Sequence, residues 1–195
     1  MTPSTGPSSP QGLGLRDRAA IVLGLLGLVS GVASAWTGYR IEIDWLQAVA
    51  RVFFLQSGVL PIGIYFGLAM GLGAWLLRRH AGTAAVAFFV TIYAWSGALH
   101  IAIRLQRNAD DDVHLIAASL AAGAFGAALT HVGLSAALPS LRRAGAVAVT
   151  ALVGAVFGLL FYAGERHVVD PRALFLIWQP AVAFAIGLGA SARRG

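Results

Sequence analysis

The chain contains no cysteine and no lysine. Without cysteine there is no disulfide, thiolate metal site, iron–sulfur cluster or thiol nucleophile. Without lysine there is no Schiff-base amine for retinal or pyridoxal phosphate, and no phosphate-loop lysine. Charge is scarce as well. Only 11% of the residues are charged and 58% are hydrophobic, whereas a soluble domain carries about 25% charged residues. Most of the surface of such a chain cannot face water.

All 14 basic residues are arginine, and the net charge is +6. The arginines sit at the ends of apolar runs rather than along one face, which argues against nucleic acid as a partner. Arg78-Arg79, Arg142-Arg143 and Arg193-Arg194 are bare pairs with no acid beside them. The loops between them mix the signs: Arg40, Glu42 and Asp44; Arg107 with Asp110, Asp111 and Asp112; Glu165, Arg166, Asp170 and Arg172. This is the charge pattern of a polytopic membrane protein whose partner is the lipid bilayer.

About 20 apolar residues cross a hydrocarbon core. Six segments qualify, at residues 19–38, 52–77, 82–103, 114–138, 144–163 and 173–191. The expected fold class is an all-α bundle of six transmembrane helices. Arg16, Arg18 and the three pairs place eight arginines on one side against six on the other. By the positive-inside rule both termini are cytoplasmic, and the expected location is a bacterial inner membrane. Trp36, Tyr39, Trp45, Tyr162 and Trp178 gather at the outer boundary as an aromatic belt, and Trp75 marks the inner one. Residues 1–15, rich in Pro, Ser, Gly and Thr, read as a disordered cytoplasmic tail. Residues 16–195 read as a single transmembrane domain. Arg16 and Arg18, an apolar run and Ala33-Ser34-Ala35 also fit a cleavable signal peptide. The helix-length run to Trp36 favours a retained first span.

The charged loops punctuate an internal similarity. Gly38-Tyr39-Arg40 to Asp44 and Gly164-Glu165-Arg166 to Asp170 both bracket G-x-R-x-x-x-D. Arg51 to Leu55 and Arg172 to Leu176 both read R-x-x-F-L. The pattern suggests repeated helical hairpins, three in all if the middle pair belongs. The spacing of Arg40/Asp44, Arg107/Asp111 and Arg166/Asp170 lets each pair meet on one helical turn.

Lipid gives apolar side chains no reason to prefer protein, so close backbone approach must drive packing. Small residues recur every fourth position at Gly27 and Gly31, Gly63, Gly67 and Gly71, Gly154 and Gly158, and Ala181, Ala185 and Gly189. In the fourth span the series is Ser119, Gly123, Ala127, His131 and Ser135. Such seams imply a tight bundle, and they also suit a homo-oligomer or a subunit of a larger membrane complex. Pro61 and Pro180 should kink the second and sixth spans.

Polar groups inside a membrane are functional candidates. In the third span Tyr93, Ser96, His100 and Arg104 share one face. His100 lies about 6 Å deeper than Arg104, at about 1.5 Å per residue. Gln56 and Gln179 precede the two prolines in the outer third. Together these six residues are the expected substrate-binding set, beneath a vestibule carrying Asp110 to Asp112, His114, Glu165, His167 and Asp170. His100 with His114 is the alternative, a metal or haem site. His131 lies roughly 20 Å deeper than His100 and cannot share a ligand with it. It suits an interhelical hydrogen bond or a proton relay.

Two enzyme patterns can be tested on the residues. Ser96-x-x-x-His100 with Asp111 resembles part of the zinc site of the alkaline ceramidase superfamily. The late H-x-x-x-H pair and the seventh span of that family have no counterpart here. Gly133-Leu134-Ser135-Ala136 resembles the G-x-S-G of rhomboid proteases, but no later transmembrane histidine stands as a base. The expectation is therefore non-enzymatic: a small transporter or substrate-binding membrane component with a polar site near the outer face. The alternatives are a haem- or metal-binding subunit of a respiratory or photosynthetic complex, and a purely structural subunit.

Overall fold

A computed structural model describes residues 18–37, 48, 60–107 and 111–191. Six helices account for nearly all of them: α1 (Ala19–Thr37), α2 (Leu60–Arg78), α3 (Ala81–Gln106), α4 (Asp112–Ala137), α5 (Ala144–Glu165) and α6 (Leu174–Ser191). Among the described residues there is no strand. The helices are 18 to 26 residues long, which at about 1.5 Å per residue reaches across a bilayer core. Helices satisfy their own backbone groups, as a lipid-exposed chain must. The protein is an all-α, multi-pass membrane protein of six spans. The helix ends agree with the apolar segments to within three residues where both can be compared. The expected start of the second span, 52–59, lies outside the described residues, as do the tail at 1–15 and Arg40, Asp44 and Trp45 of the first outer loop.

Packing runs around the bundle, each helix against its neighbours in sequence, with α6 returning to α1. The most extensive pairings are α4 with α5 and α1 with α6, both across hairpin boundaries. The cause is backbone approach. A Cβ at Gly31 would stand 2.5 Å from the Phe175 carbonyl oxygen, and one at Gly27 2.8 Å from that of Gln179. At Gly123 and Gly154 a Cβ would strike the facing helix backbone or its methyl group. The seams read from the sequence are therefore contact surfaces, and side chains larger than hydrogen would force those helices apart.

The end carrying the bare arginines has tight connections. Arg79 ends α2 in the left-handed region at φ 52°. Its N–H reaches the Trp75 carbonyl at 2.6 Å, and its guanidinium stacks 4.5 Å above the Trp75 ring. His80 then caps α3, its Nδ1 accepting the Thr83 N–H at 3.3 Å. Arg142 caps the other end of that layer, donating to the Ser135 and Ala136 carbonyls of α4 at 3.0 and 3.3 Å. Cations at helix C-termini offset the carbonyls left without partners there.

At the opposite end two expectations change. Arg166 pairs with Asp112 of α4 rather than with Asp170. Asp111 caps α4 instead of meeting Arg107 on a turn. Helices α3 and α5 end at Gln106 and Glu165, so Arg107 and Arg166 already lie past the last helical residue and neither pair sits within a helix. Trp178 is also not in an interfacial belt. It is buried in the core, whereas Trp36 is 90% exposed. The kink expected at Pro180 takes the form of a π turn over Leu174–Trp178, which widens α6 just before the residue that lacks an N–H.

The α5–α6 connection is a Schellman motif. The Val168 N–H reaches Ala163 at 2.9 Å and the His167 N–H reaches Gly164 at 3.0 Å. The left-handed position that closes the motif, usually glycine, is His167 at φ 56°. A Cβ there costs about 1 kcal/mol. Replacing His167 with Gly should raise the unfolding midpoint in mild detergent by a comparable amount, and His167→Val should lower it. Equal midpoints for Gly and Val would show that the turn does not hold this conformation.

Candidate functional site

The mixed-charge end brings α3, α4 and α5 together through polar ties. Gln106, the last residue of α3, donates from Nε2 to Oε2 of Glu165 at 3.0 Å. Arg166 pairs with Asp112. Oδ1 of Asp111 accepts the backbone N–H of His114 at 2.8 Å and lies 2.7 Å from Nδ1 of the same residue. A carboxylate only accepts, so the imidazole donates from Nδ1. The backbone N–H of His114, and after it the ring, hold the Asp111 carboxyl below its ordinary range. These groups frame a polar recess of about 250 Å3 lined by Gln106, Asp111, Leu115, Glu165 and Arg166.

One helical turn deeper the same three faces become apolar. Ala102 follows Gln106 on α3, Ser119 follows Leu115 on α4, and Phe161 follows Glu165 on α5. With Leu174 and Trp178 of α6 they line a cleft of about 50 Å3 that reaches Trp95. Ser119 turns its hydroxyl to the Leu115 carbonyl at 2.8 Å, so it presents little polarity. Gly123 and Gly158 also line the cleft, and their backbone contact closes one wall. Trp95 and Trp178 meet edge to face with centroids 5.9 Å apart. Phe175 and Phe66 extend the cluster. Trp178 donates from Nε1 to the Gly154 carbonyl at 3.0 Å. The indole N–H of Trp95 is buried with no partner among the described residues. Its Cδ1 edge faces Gly63 of α2. A buried donor left in this state costs about 1–3 kcal/mol.

The expected residues fall at several places. Ser96 is buried, while Tyr93, His100 and Arg104 are exposed. The lining of the cleft and of the recess above it comes from the adjacent face of α3, at Trp95, Leu99, Ala102 and Gln106, turned about 100° from that set. Gln56 lies outside the described residues. Gln179 is 0% exposed. Its Oε1 accepts from Ser30 at 2.5 Å and its Nε2 donates to Ser34 at 3.1 Å, tying α6 to α1 beside the π turn. His114 is engaged with Asp111 at the mouth of the recess. Among the described residues no three His, Asp or Glu side chains converge as a metal-ligand group. Sequence reasoning missed the cleft because Ala, Leu and Trp at helical spacing read only as core.

His131 is 0% exposed and joins α4 to the α4–α5 connection and to α5. Its Nε2 lies 3.2 Å from the Leu141 carbonyl, so that nitrogen carries a proton. Its Nδ1 lies 2.7 Å from the Thr150 hydroxyl, which also lies 2.9 Å from the Ala146 carbonyl. On α6, Gly189 leaves room for the ring: a Cβ there would approach Cε1 to 3.2 Å.

No known protein-family model, curated protein or solved structure matches the chain. The site must be read from its own chemistry.

Two outcomes follow. His131→Ala removes two buried hydrogen bonds, to the Leu141 carbonyl and the Thr150 hydroxyl, and should destabilise by about 1–3 kcal/mol, seen as a lower unfolding midpoint. A change within about 0.5 kcal/mol, typical of uninvolved surface sites, would show that these bonds are not made. For Asp111 the folded carboxyl titrates below its ordinary value of 3.8. The ionised cap therefore contributes above the unfolded pKa and is lost as pH falls through the lower folded one. Hydrogen exchange should find the first turn of α4 protected from neutral pH to below 3.8. In Asp111→Asn that protection should not vary with pH over this range. Loss of wild-type protection well above pH 4, the ordinary carboxylate range, would contradict the cap.

Proposed function

We propose that the protein is a small transporter or substrate-binding membrane component whose solute enters at the mixed-charge end of α3, α4 and α5. One observation carries the reading. A polar recess and an apolar cleft line the same helix faces one turn apart, ending at Trp95 and Trp178. Binding sites for small molecules are typically concave and largely apolar, with a few placed polar groups that set orientation. The ties across the mouth are exposed, so a solute meets water-accessible carboxylates first and an apolar lining after. With the bare arginine pairs facing the cytoplasm, the recess opens outward from a bacterial inner membrane.

The absence of native cysteine makes the test direct. Single variants Ser119→Cys and Ala102→Cys are reconstituted in vesicles of known orientation and treated with a small, membrane-impermeant thiol reagent. Gly145→Cys reports the other end, where a side chain meets nothing within 4 Å. Both cleft positions should label from the face opposite to the one that labels Gly145→Cys. Cleft cysteines that react only with lipid-soluble reagents, or that react from the Gly145 side, would overturn the proposal.

A further inference from the structure

The chemistry of the recess and the cleft narrows the solute further, resting on the binding role proposed above. We propose that the site takes an organic cation: an ammonium-type head held in the recess, with a short apolar tail in the cleft.

The charges lining the mouth carry the first half. Asp111 and Glu165 are both in the lining, and both are exposed. The partner of Glu165 is the neutral amide of Gln106. The one guanidinium in the lining, Arg166, is already paired with Asp112. Among the described residues the other arginines of this end lie elsewhere. Arg104 leaves α3 about 200° away from Gln106, and Arg107 about 100° away. Arg172 lines a separate groove beside Trp36. His114, the remaining titratable group at the mouth, donates to Asp111. Among the described residues, Asp111 and Glu165 of the lining and Asp112 beside it therefore face one guanidinium, and a positive head restores the balance where a negative one would add repulsion.

The cleft carries the second half. Its lining is almost wholly apolar, so a charged or strongly hydrated group would lose its water there without replacement. Its volume of about 50 Å3 holds a few carbons, not a full lipid chain. From Gln106 to Trp95 is about 16 Å along α3, which sets the length of the occupant, head included. The aromatic faces of Trp95 and Trp178 at the inner end suit a hydrocarbon or aromatic tail.

The test uses the full chain in vesicles with the Ser119→Cys reporter, and Ala102→Cys in parallel. Labelling by a small neutral thiol reagent is followed against alkyltrimethylammonium ions from butyl to decyl, and against alkyl sulfates of the same lengths. The ammonium series should slow labelling saturably. The half-protecting concentration should fall about fourfold per added methylene, which corresponds to about 0.8 kcal/mol each, until the tail reaches Trp95 and the gain stops. The sulfates should leave the rate unchanged. Glu165→Gln, which keeps the side-chain shape, should raise the half-protecting concentration of the ammonium ions about tenfold. Equal protection by sulfates and ammonium ions, or protection by neither while the cysteines still label, would overturn the cation assignment and leave the binding role standing. Cysteines that do not label at all would overturn both. Protection that keeps growing per methylene past octyl would show the tail lying in lipid rather than in the cleft, and would overturn the assignment too.

Discussion

Everything in this bundle depends on how closely helix backbones approach one another. In lipid, an apolar side chain gains little by turning from hydrocarbon toward protein. Association must come from dispersion at short range and from polar bonds. The glycine contacts between α1 and α6, and between α4 and α5, provide that short range. At Gly31 and Gly158 a facing carbonyl oxygen occupies the space a methyl group would need. These two seams fix where α5 and α6 lie, and so fix the walls of the cleft. The Gly123 to Gly158 contact closes one wall, and the α1–α6 seam holds Trp178 inward toward Trp95.

Polar bonds then set register where small residues alone would allow sliding. Gln179 reaches two serines of α1 spaced one turn apart, so a one-turn slip of α6 would lose at least one bond. His131 does the same at the other end, joining the α4–α5 connection to both helices. The π turn makes the first arrangement workable. Pro180 removes a backbone donor from α6, and the widened turn before it accommodates that gap while the Phe175 and Gln179 carbonyls sit against Gly31 and Gly27. A break in helical pairing has become the surface on which α1 packs.

Much of this was legible in the sequence, and the exceptions share a cause. Span positions follow from hydropathy and the bare arginine pairs, because crossing a bilayer is a one-dimensional constraint. The glycine seams were legible because four-residue spacing puts small residues on one face. The interhelical role of His131 followed from its place on such a seam. Trp178 was misread as interfacial because depth was counted from the end of the span, while its direction depends on the π turn. The Arg/Asp pairs were misread because their spacing has meaning only inside a helix, and the helices end one residue before the first member of each pair. The cleft-lining face of α3 was passed over for the neighbouring face that carries Tyr93, Ser96, His100 and Arg104. Polar residues announce themselves in an apolar span, whereas an apolar lining differs from core only once the opposing helices are in place.

The two ends of the cleft-forming helices are held by different kinds of bond. At the arginine end, α4 and α5 are joined by a fully buried histidine and by guanidinium caps on helix carbonyls. At the mixed-charge end the ties between α3, α4 and α5 are an exposed amide–carboxylate bond and an exposed ion pair. Exposed pairs contribute roughly 0–1 kcal/mol each and are screened by salt. Losing a partner from a buried network costs more, because the group left behind keeps no access to water. Among the ties of the described residues, those above the recess are therefore the weaker and those at His131 the stronger.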